Sequence, residues 1–168
     1  MTLAEQLLPG DVLLYRGTGI YGWLIRRHTG HNVGHVEVYL GEGRSYASRN
    51  GQGVNFYDLR TKDLQYVCRP KLPGDLRAAM AWAKTQVGMP YGWLDLLAFI
   101  DVNIDGQGIV CSPAATLFER AAGLDPFNGE PCNKIAPFQF LTSNVYDIYE
   151  VRDGEVVRRD RALPAEAS

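Results

Sequence analysis

The chain changes character at residues 70–74, and this change limits its possible folds more than any other feature. Before this point, short runs rich in β-formers alternate with turns built on glycine and asparagine. After it, apolar residues recur mainly at helical spacing. Runs of strands followed by runs of helices are typical of an α+β domain. We predict strands at 12–15, 34–40, 44–48, 54–59 and 65–69.

The helical pattern places a short helix at 20–27 in the first half and longer ones in the second. These are predicted at 75–87, 93–100 and about 112–122, followed by a short turn or helix at 137–143 and a closing strand at 145–151. We therefore expect one domain over residues 1–151. Residues 152–168 are charged and then rich in proline and alanine, which predicts a frayed tail.

Composition excludes several classes of function. The 168 residues carry a net charge of −2, so no basic field favours nucleic acid as a partner. Three scattered cysteines indicate neither a disulfide scaffold nor a zinc site. We find no signal peptide and no membrane-spanning run. The sequence predicts synthesis in the cytoplasm, and any action at a cell wall would need another route of delivery.

The segment around Cys111 is the strongest candidate for chemistry. A short apolar run ends at this cysteine, and Ser112 and Pro113 then suit the first turn of a helix. A cysteine at a helix N-terminus is favoured as the thiolate by the helix dipole. The alternative role for Cys111 is that of a small buried hydrophobic residue. We assign this structural role to Cys68 and Cys132.

A cysteine nucleophile needs a base, and the chain has only three histidines. His35 lies on a regularly alternating strand and is the best candidate, although it could also be a half-buried structural histidine. His28 and His31 lie in a turn. A metal site built from all three is disfavoured by their spacing, so we expect no metal and no cofactor.

The order of these motifs resembles a known family. Residues 34–41 are similar to the histidine strand of the NlpC-type papain-like peptidases, and residues 88–93 resemble the segment before their nucleophile. Because His35 precedes Cys111, the chain resembles the circularly permuted branch, the YaeF/YiiX-like amidases. The resemblance implies a papain-like α+β fold in which the cysteine helix packs against an antiparallel sheet that carries the histidine. It also implies that Tyr91 lines the substrate cleft.

The family pattern places a polar third residue about twelve positions after the histidine, but here that position is Ala47. Ser48 or Asn50 could replace it if the strand shifts register. Alternatively, Glu37 lies on the same strand face as His35 and could orient the imidazole. The other interpretation of Glu37 is a side chain that points into water.

Three functions follow from these observations. The first is a cysteine hydrolase that cleaves amide bonds, with the stem peptides of bacterial peptidoglycan as one substrate that the resemblance implies, in a bacterial or phage setting. The second is an acyltransferase or thioesterase acting on lipid or acyl substrates, for which Leu97, Phe99 and Ile100 could line a groove. The third is an inactive binding module, which the alanine at position 47 keeps open.

Overall fold

The computed structural model describes residues 1–90 and 111–159. Within them, seven strands form one sheet in the order β4-β3-β2-β1-β5-β6-β7, and every neighbouring pair is antiparallel. The strands are β1 (Val12–Tyr15), β2 (His35–Gly41), β3 (Arg44–Arg49), β4 (Gly53–Asp58), β5 (Leu64–Pro70), β6 (Tyr146–Arg152) and β7 (Glu155–Arg158). The α-helices described are α1 (Gly19–Thr29), α2 (Leu76–Gln86) and α3 (Cys111–Ala121). Short 3-10 helices lie at Ala4–Gln6, Cys132–Lys134 and Pro137–Leu141.

This arrangement is α+β, as the sequence predicts. The helix predicted at 93–100 lies outside the described residues, as do Tyr91 and the groove residues Leu97, Phe99 and Ile100. In the part of the chain that the structure describes, no helix combines the length and the apolar character needed to cross a membrane.

The prediction of a frayed tail from residue 152 was wrong for β7. Asp153 and Gly154 both have positive φ, 50° and 81°, and form a tight turn that pairs β7 with β6. An Asp-Gly pair is a strong hairpin signal because it adopts this left-handed geometry at little strain. The charged and Pro/Ala-rich composition of residues 152–168 had favoured a frayed tail over this hairpin.

The two faces of the sheet are covered differently. One face carries the larger apolar cluster and is covered by α3, which packs against β2 and β3, with α2 packed against α3. The other face carries a smaller cluster that includes Leu13, Tyr15 and Tyr39. Side chains of a strand alternate between faces, so each face of β2 receives every second residue.

Three glycines hold α1 against the start of β2. A Cβ on Gly22 would come within 2.8 Å of the Gly17 backbone, and one on Gly34 would come within 2.7 Å of the Arg16 carbonyl oxygen and 2.9 Å of the Gly22 carbonyl oxygen. The three backbones therefore touch where no side chain fits. This contact fixes the backbone immediately before His35.

Candidate active site

His35 and Cys111 come from distant parts of the chain and meet at one end of the sheet. His35 is the first residue of β2 and is paired with Tyr15 of β1. Cys111 is the first residue of α3 and is 1% exposed. Its thiol lies close enough to the His35 imidazole to raise the pKa of that ring. The packing of α3 on β2 thus places a sulfur atom beside an imidazole ring.

Glu37 lies on the other side of the imidazole. His35 Nε2 is 2.9 Å from Glu37 Oε1, and the glutamate side chain is completely buried. The structure therefore brings together three of the residues singled out from the sequence: Cys111, His35 and Glu37. It also excludes the interpretation in which Glu37 points into water.

A cage of donors surrounds the Glu37 carboxylate. Arg49 donates to both oxygens at 2.9 Å through Nε and Nη2, which is the bidentate geometry of a strong guanidinium–carboxylate pair. Ser45 Oγ donates to Oε2 at 2.6 Å, and Arg60 Nη2 donates to Oε1 at 3.0 Å. One carboxylate thus receives hydrogen bonds from four side chains, two of which carry a permanent positive charge.

Electrostatics at the site favour ionised groups. Burial opposes a charge on His35, but Cys111 and Glu37 beside it raise its pKa from 6.5 to about 9. Burial also opposes the charge on Glu37, but hydrogen bonds from His35, Arg49 and Ser45 hold the pKa of that carboxyl far below its ordinary value. Since an ionised carboxylate can only accept, His35 Nε2 must carry the proton in this bond.

Register explains why the glutamate can occupy this position. Val38 pairs with Tyr46 and Tyr39 with Ser45, so Glu37 lies opposite Ala47 on the next strand. Ser45 and Arg49, which flank Ala47 at alternate positions, both reach Glu37. The small alanine side chain leaves room for the carboxylate between them.

The two other candidates for a third residue are placed elsewhere. Ser48 lies between Ala47 and Arg49, so its side chain projects to the opposite face of β3 from the Glu37 cage. Asn50 is exposed in the turn after β3. The register shift that would have brought either one to His35 does not occur.

Cys68, Cys132 and His31 have surroundings of their own. Cys68 is buried in β5, and burial raises the pKa of its thiol well above the ordinary value. Cys132 is half-buried in a 3-10 helix, and both thiols are free. His31 stacks on Phe138 with ring centroids 3.9 Å apart. Among the residues described, no three His, Cys, Asp or Glu side chains are grouped as metal ligands would be.

Sequence reasoning missed Ser45, Arg49 and Arg60. The first two could have been found, because each lies two residues from Ala47 and therefore projects from the same face of β3. That face meets Glu37 if the Gly41–Gly43 turn is a tight hairpin. Arg60 belongs to the loop between β4 and β5, and no local pattern indicates where its side chain reaches.

The fold and the site define a class: an α+β domain in which a buried thiol and a buried carboxylate lie on either side of one imidazole. A scan against protein-family models found none that matches this chain. A search of curated proteins also found no match.

Proposed function

We propose that this protein is a cysteine hydrolase of amide bonds, with Cys111 as the nucleophile and His35 as the general base and acid. The observation that carries the proposal is the continuous series Cys111–His35–Glu37, since an activated nucleophile requires a base that a third group orients. In this proposal the fold is papain-like, with the histidine strand before the cysteine helix in the permuted order.

The geometry supports a division of roles within the series. Glu37 engages Nε2, which leaves Nδ1 to hold the proton that Cys111 gives up, and the raised pKa of His35 favours this thiolate–imidazolium pair. The resulting thiolate attacks the carbonyl carbon, and the oxyanion is stabilised by the backbone N–H of Cys111 at the start of α3. His35 then returns the proton to the departing amine. Water hydrolyses the thioester, and its proton passes through the same imidazole.

Glu37 is proposed as a positioning residue in this reaction. It holds one imidazole tautomer and stabilises the imidazolium while the thiolate exists. The family pattern expects a polar third residue where this chain has Ala47. Glu37 takes over that role from the strand that carries His35.

Alkylation of the thiols tests the proposal without knowledge of the substrate. Iodoacetamide at pH 7 should modify Cys111 at least tenfold faster than glutathione, and His35→Gln should remove that advantage. Cys132→Ala is the matched control and should leave the rate at Cys111 unchanged. A Cys111 thiol no more reactive than glutathione would contradict the proposal.

Two substrates then separate the enzymatic alternatives. The purified protein and its Cys111→Ala variant should be incubated with peptidoglycan and, in parallel, with a long-chain acyl ester. Release of new amino groups from peptidoglycan, absent with the variant, supports the amidase. Cleavage of the ester alone would favour the acyltransferase or thioesterase.

A further inference from the structure

A cavity of about 200 Å³ lies at the far end of the sheet from the candidate active site. His35 pairs with the last residue of β1, whereas the cavity wall includes Asp11, which precedes β1, and Pro70, which ends β5. The end of α3 forms another part of the wall, where Glu119 lies eight residues, or about 12 Å along a helix axis, from Cys111. The cavity is therefore separate from the site that contains the thiol.

Most of the cavity wall is apolar, and part of it reaches the surface. Phe118 is completely buried, and Leu76 and Leu124 are half-buried. Leu8 is 51% exposed and Pro73 is also exposed, so the wall meets solvent at these two residues. An apolar cavity of about 150 Å³ is large enough to bind benzene, so this one suits a hydrocarbon group of about six to eight non-hydrogen atoms.

One acidic side chain in this wall has no cation beside it. Glu119 is 1% exposed and accepts a hydrogen bond from the Tyr146 hydroxyl at 3.0 Å. Among the residues that the structure describes, no Lys, Arg or His side chain lies within ion-pair distance of its carboxyl group. Burial and the nearby Asp11 carboxylate raise the pKa of Glu119 to about 8, so this carboxyl is mostly protonated at pH 7.

The other titratable groups around the cavity are either paired or neutral. Asp11 is 1% exposed and accepts hydrogen bonds from Arg69 at 2.8 and 2.7 Å and from the Leu8 N–H at 2.8 Å. Asp75 caps the start of α2 with its side chain. Cys68 of β5 is a neutral thiol, because burial raises its pKa well above the ordinary value. Of the two acidic side chains in the wall, the one on α3 is thus the one that lacks a cationic partner.

An ammonium group is the ligand chemistry that complements this wall. If Glu119 ionises, the wall carries two carboxylates and the single guanidinium of Arg69. A ligand with one positive charge then restores neutrality, and its N–H donors offset the cost of a buried carboxylate. An anion is disfavoured because Asp11 already occupies the guanidinium. The apolar part of the wall suits a hydrocarbon group attached to the ammonium.

We infer that this cavity is a binding site for a small primary amine that carries a short apolar chain or ring, held by an ion pair with Glu119. Binding is an exchange of cations: the ammonium ion enters with its charge, the carboxyl gives its proton to solvent, and no other covalent bond forms or breaks. The inference is independent of the proposed hydrolase function, since the cavity shares no residue with the series Cys111–His35–Glu37.

Two probes of the same shape test the inference by isothermal titration calorimetry. Cyclohexylamine and cyclohexanol carry the same ring and differ in the ammonium and hydroxyl groups. The Cys111→Ala protein is used, so that neither probe can react with the thiol. At pH 7 the amine should bind at least tenfold more tightly than the alcohol and release close to one proton. From pH 6 to pH 7 its affinity should rise close to tenfold, as the ionised fraction of Glu119 does.

Variants locate the binding at this carboxyl group. Glu119→Gln keeps the shape of the side chain, and should lower the affinity for the amine at least tenfold, abolish proton release and leave the affinity for the alcohol unchanged. Glu130→Gln, at an exposed position after α3, is the matched control and should change neither affinity. Thermal unfolding checks that both variants are folded.

Three outcomes would overturn the inference. These are an amine that binds no more tightly than the alcohol, an amine affinity that Glu119→Gln leaves unchanged, and binding without release of a proton at pH 7. The hydrolase proposal is tested separately, because the rate of Cys111 alkylation should be the same in the parent and in Glu119→Gln. The cavity can thus fail as an amine site while the hydrolase stands, and the reverse also holds.

Discussion

Two glutamates of this protein are equally removed from water but are held in opposite charge states. Glu37 in β2 and Glu119 in α3 are 0% and 1% exposed. Glu37 is ionised within a cage of two arginines, a histidine and a serine. Glu119 has a hydrogen bond from the Tyr146 hydroxyl at 3.0 Å, and burial raises its pKa to about 8.

The comparison shows that burial alone does not determine the charge of a carboxyl group. Removing a carboxylate from water disfavours its ionised form, and partners must offset that penalty. Glu37 has such partners beside the imidazole. Glu119, eight residues after Cys111 on α3, has no charged hydrogen-bond partner among the residues that the structure describes. A buried negative charge therefore exists where the proposed chemistry uses it, while the other glutamate is protonated at neutral pH.

The largest effect should follow from removing the charge at the cage. Glu37→Gln keeps the shape of the side chain but leaves Arg49 facing a neutral amide, so the free energy of unfolding should fall by about 3 kcal/mol at pH 7. The fold should persist, but turnover should fall about a hundredfold or more because the imidazolium loses its counter-charge. Urea denaturation and steady-state kinetics measure the two effects. Unchanged kinetics would reject a role for Glu37 in positioning.

The same substitution at the other glutamate should have the opposite sign near neutral pH. Glu119 has a raised pKa in the folded protein, so its contribution to stability is fully present below pH 4.5 and declines as the pH rises toward about 8. This loss amounts to about 3 kcal/mol between pH 4.5 and pH 7. Glu119→Gln should abolish that slope in the variant, so the difference between parent and variant should carry it.

Glu37 should show the reverse dependence. Its pKa is lowered on folding, so its stabilising contribution is present above pH 4.5 and is lost as the pH falls. Unfolding free energies measured from about pH 2 to pH 8 for the parent and both glutamine variants therefore give two difference curves of opposite slope, the Glu37 curve changing below pH 4.5 and the Glu119 curve above it. Parallel curves would show that the two carboxyls share one charge state.

Changing the cage instead of the glutamate should produce a smaller effect. Arg49→Ala should lower the free energy of unfolding by about 2 kcal/mol, since Arg60 still contacts the carboxylate. Arg49→Lys restores the charge but not the two-pronged geometry, and should recover about half of the loss. Equal effects of alanine and lysine would mean that the geometry, and not the charge, stabilises Glu37.

The smallest differences should come from the hydroxyl groups. Ser45→Ala removes a 2.6 Å bond to an ionised acceptor and should destabilise the fold by about 1.5 kcal/mol. Tyr146→Phe removes a 3.0 Å bond to a neutral carboxyl and should destabilise it by about 1 kcal/mol. Thermal unfolding at pH 6 compares them. A larger effect at Tyr146 would place the charge on Glu119 instead.

Local patterns were enough to predict most of the fold. The strand predicted at 34–40 is His35–Gly41, and the helix predicted at about 112–122 is Cys111–Ala121. Gly123 follows that helix with φ of 81°, the left-handed geometry that glycine adopts most readily after a helix end. These features depend on strand alternation, helical spacing and turn residues, and each of these patterns involves only residues close together in the sequence.

The sequence could not predict contacts that depend on register and on loops. Glu37 was foreseen as a candidate because its position on the strand face follows from parity. The hydrogen bond from Arg60 to Glu37 could not be predicted, because the two residues are 23 positions apart and Arg60 lies in a loop. Glu119 also escaped notice, because a single acidic residue on an apolar helix does not reveal that every neighbour will exclude water.

The contact among Gly17, Gly22 and Gly34 has a consequence for variants of this chain. Because the three backbones touch, even one added methyl group must push α1 away from the strand that carries His35. A random-mutagenesis screen should therefore recover inactive clones at these three positions although their cysteine, histidine and glutamate are intact. Such variants would lose function because α1 is displaced, although every residue of the candidate site is still present.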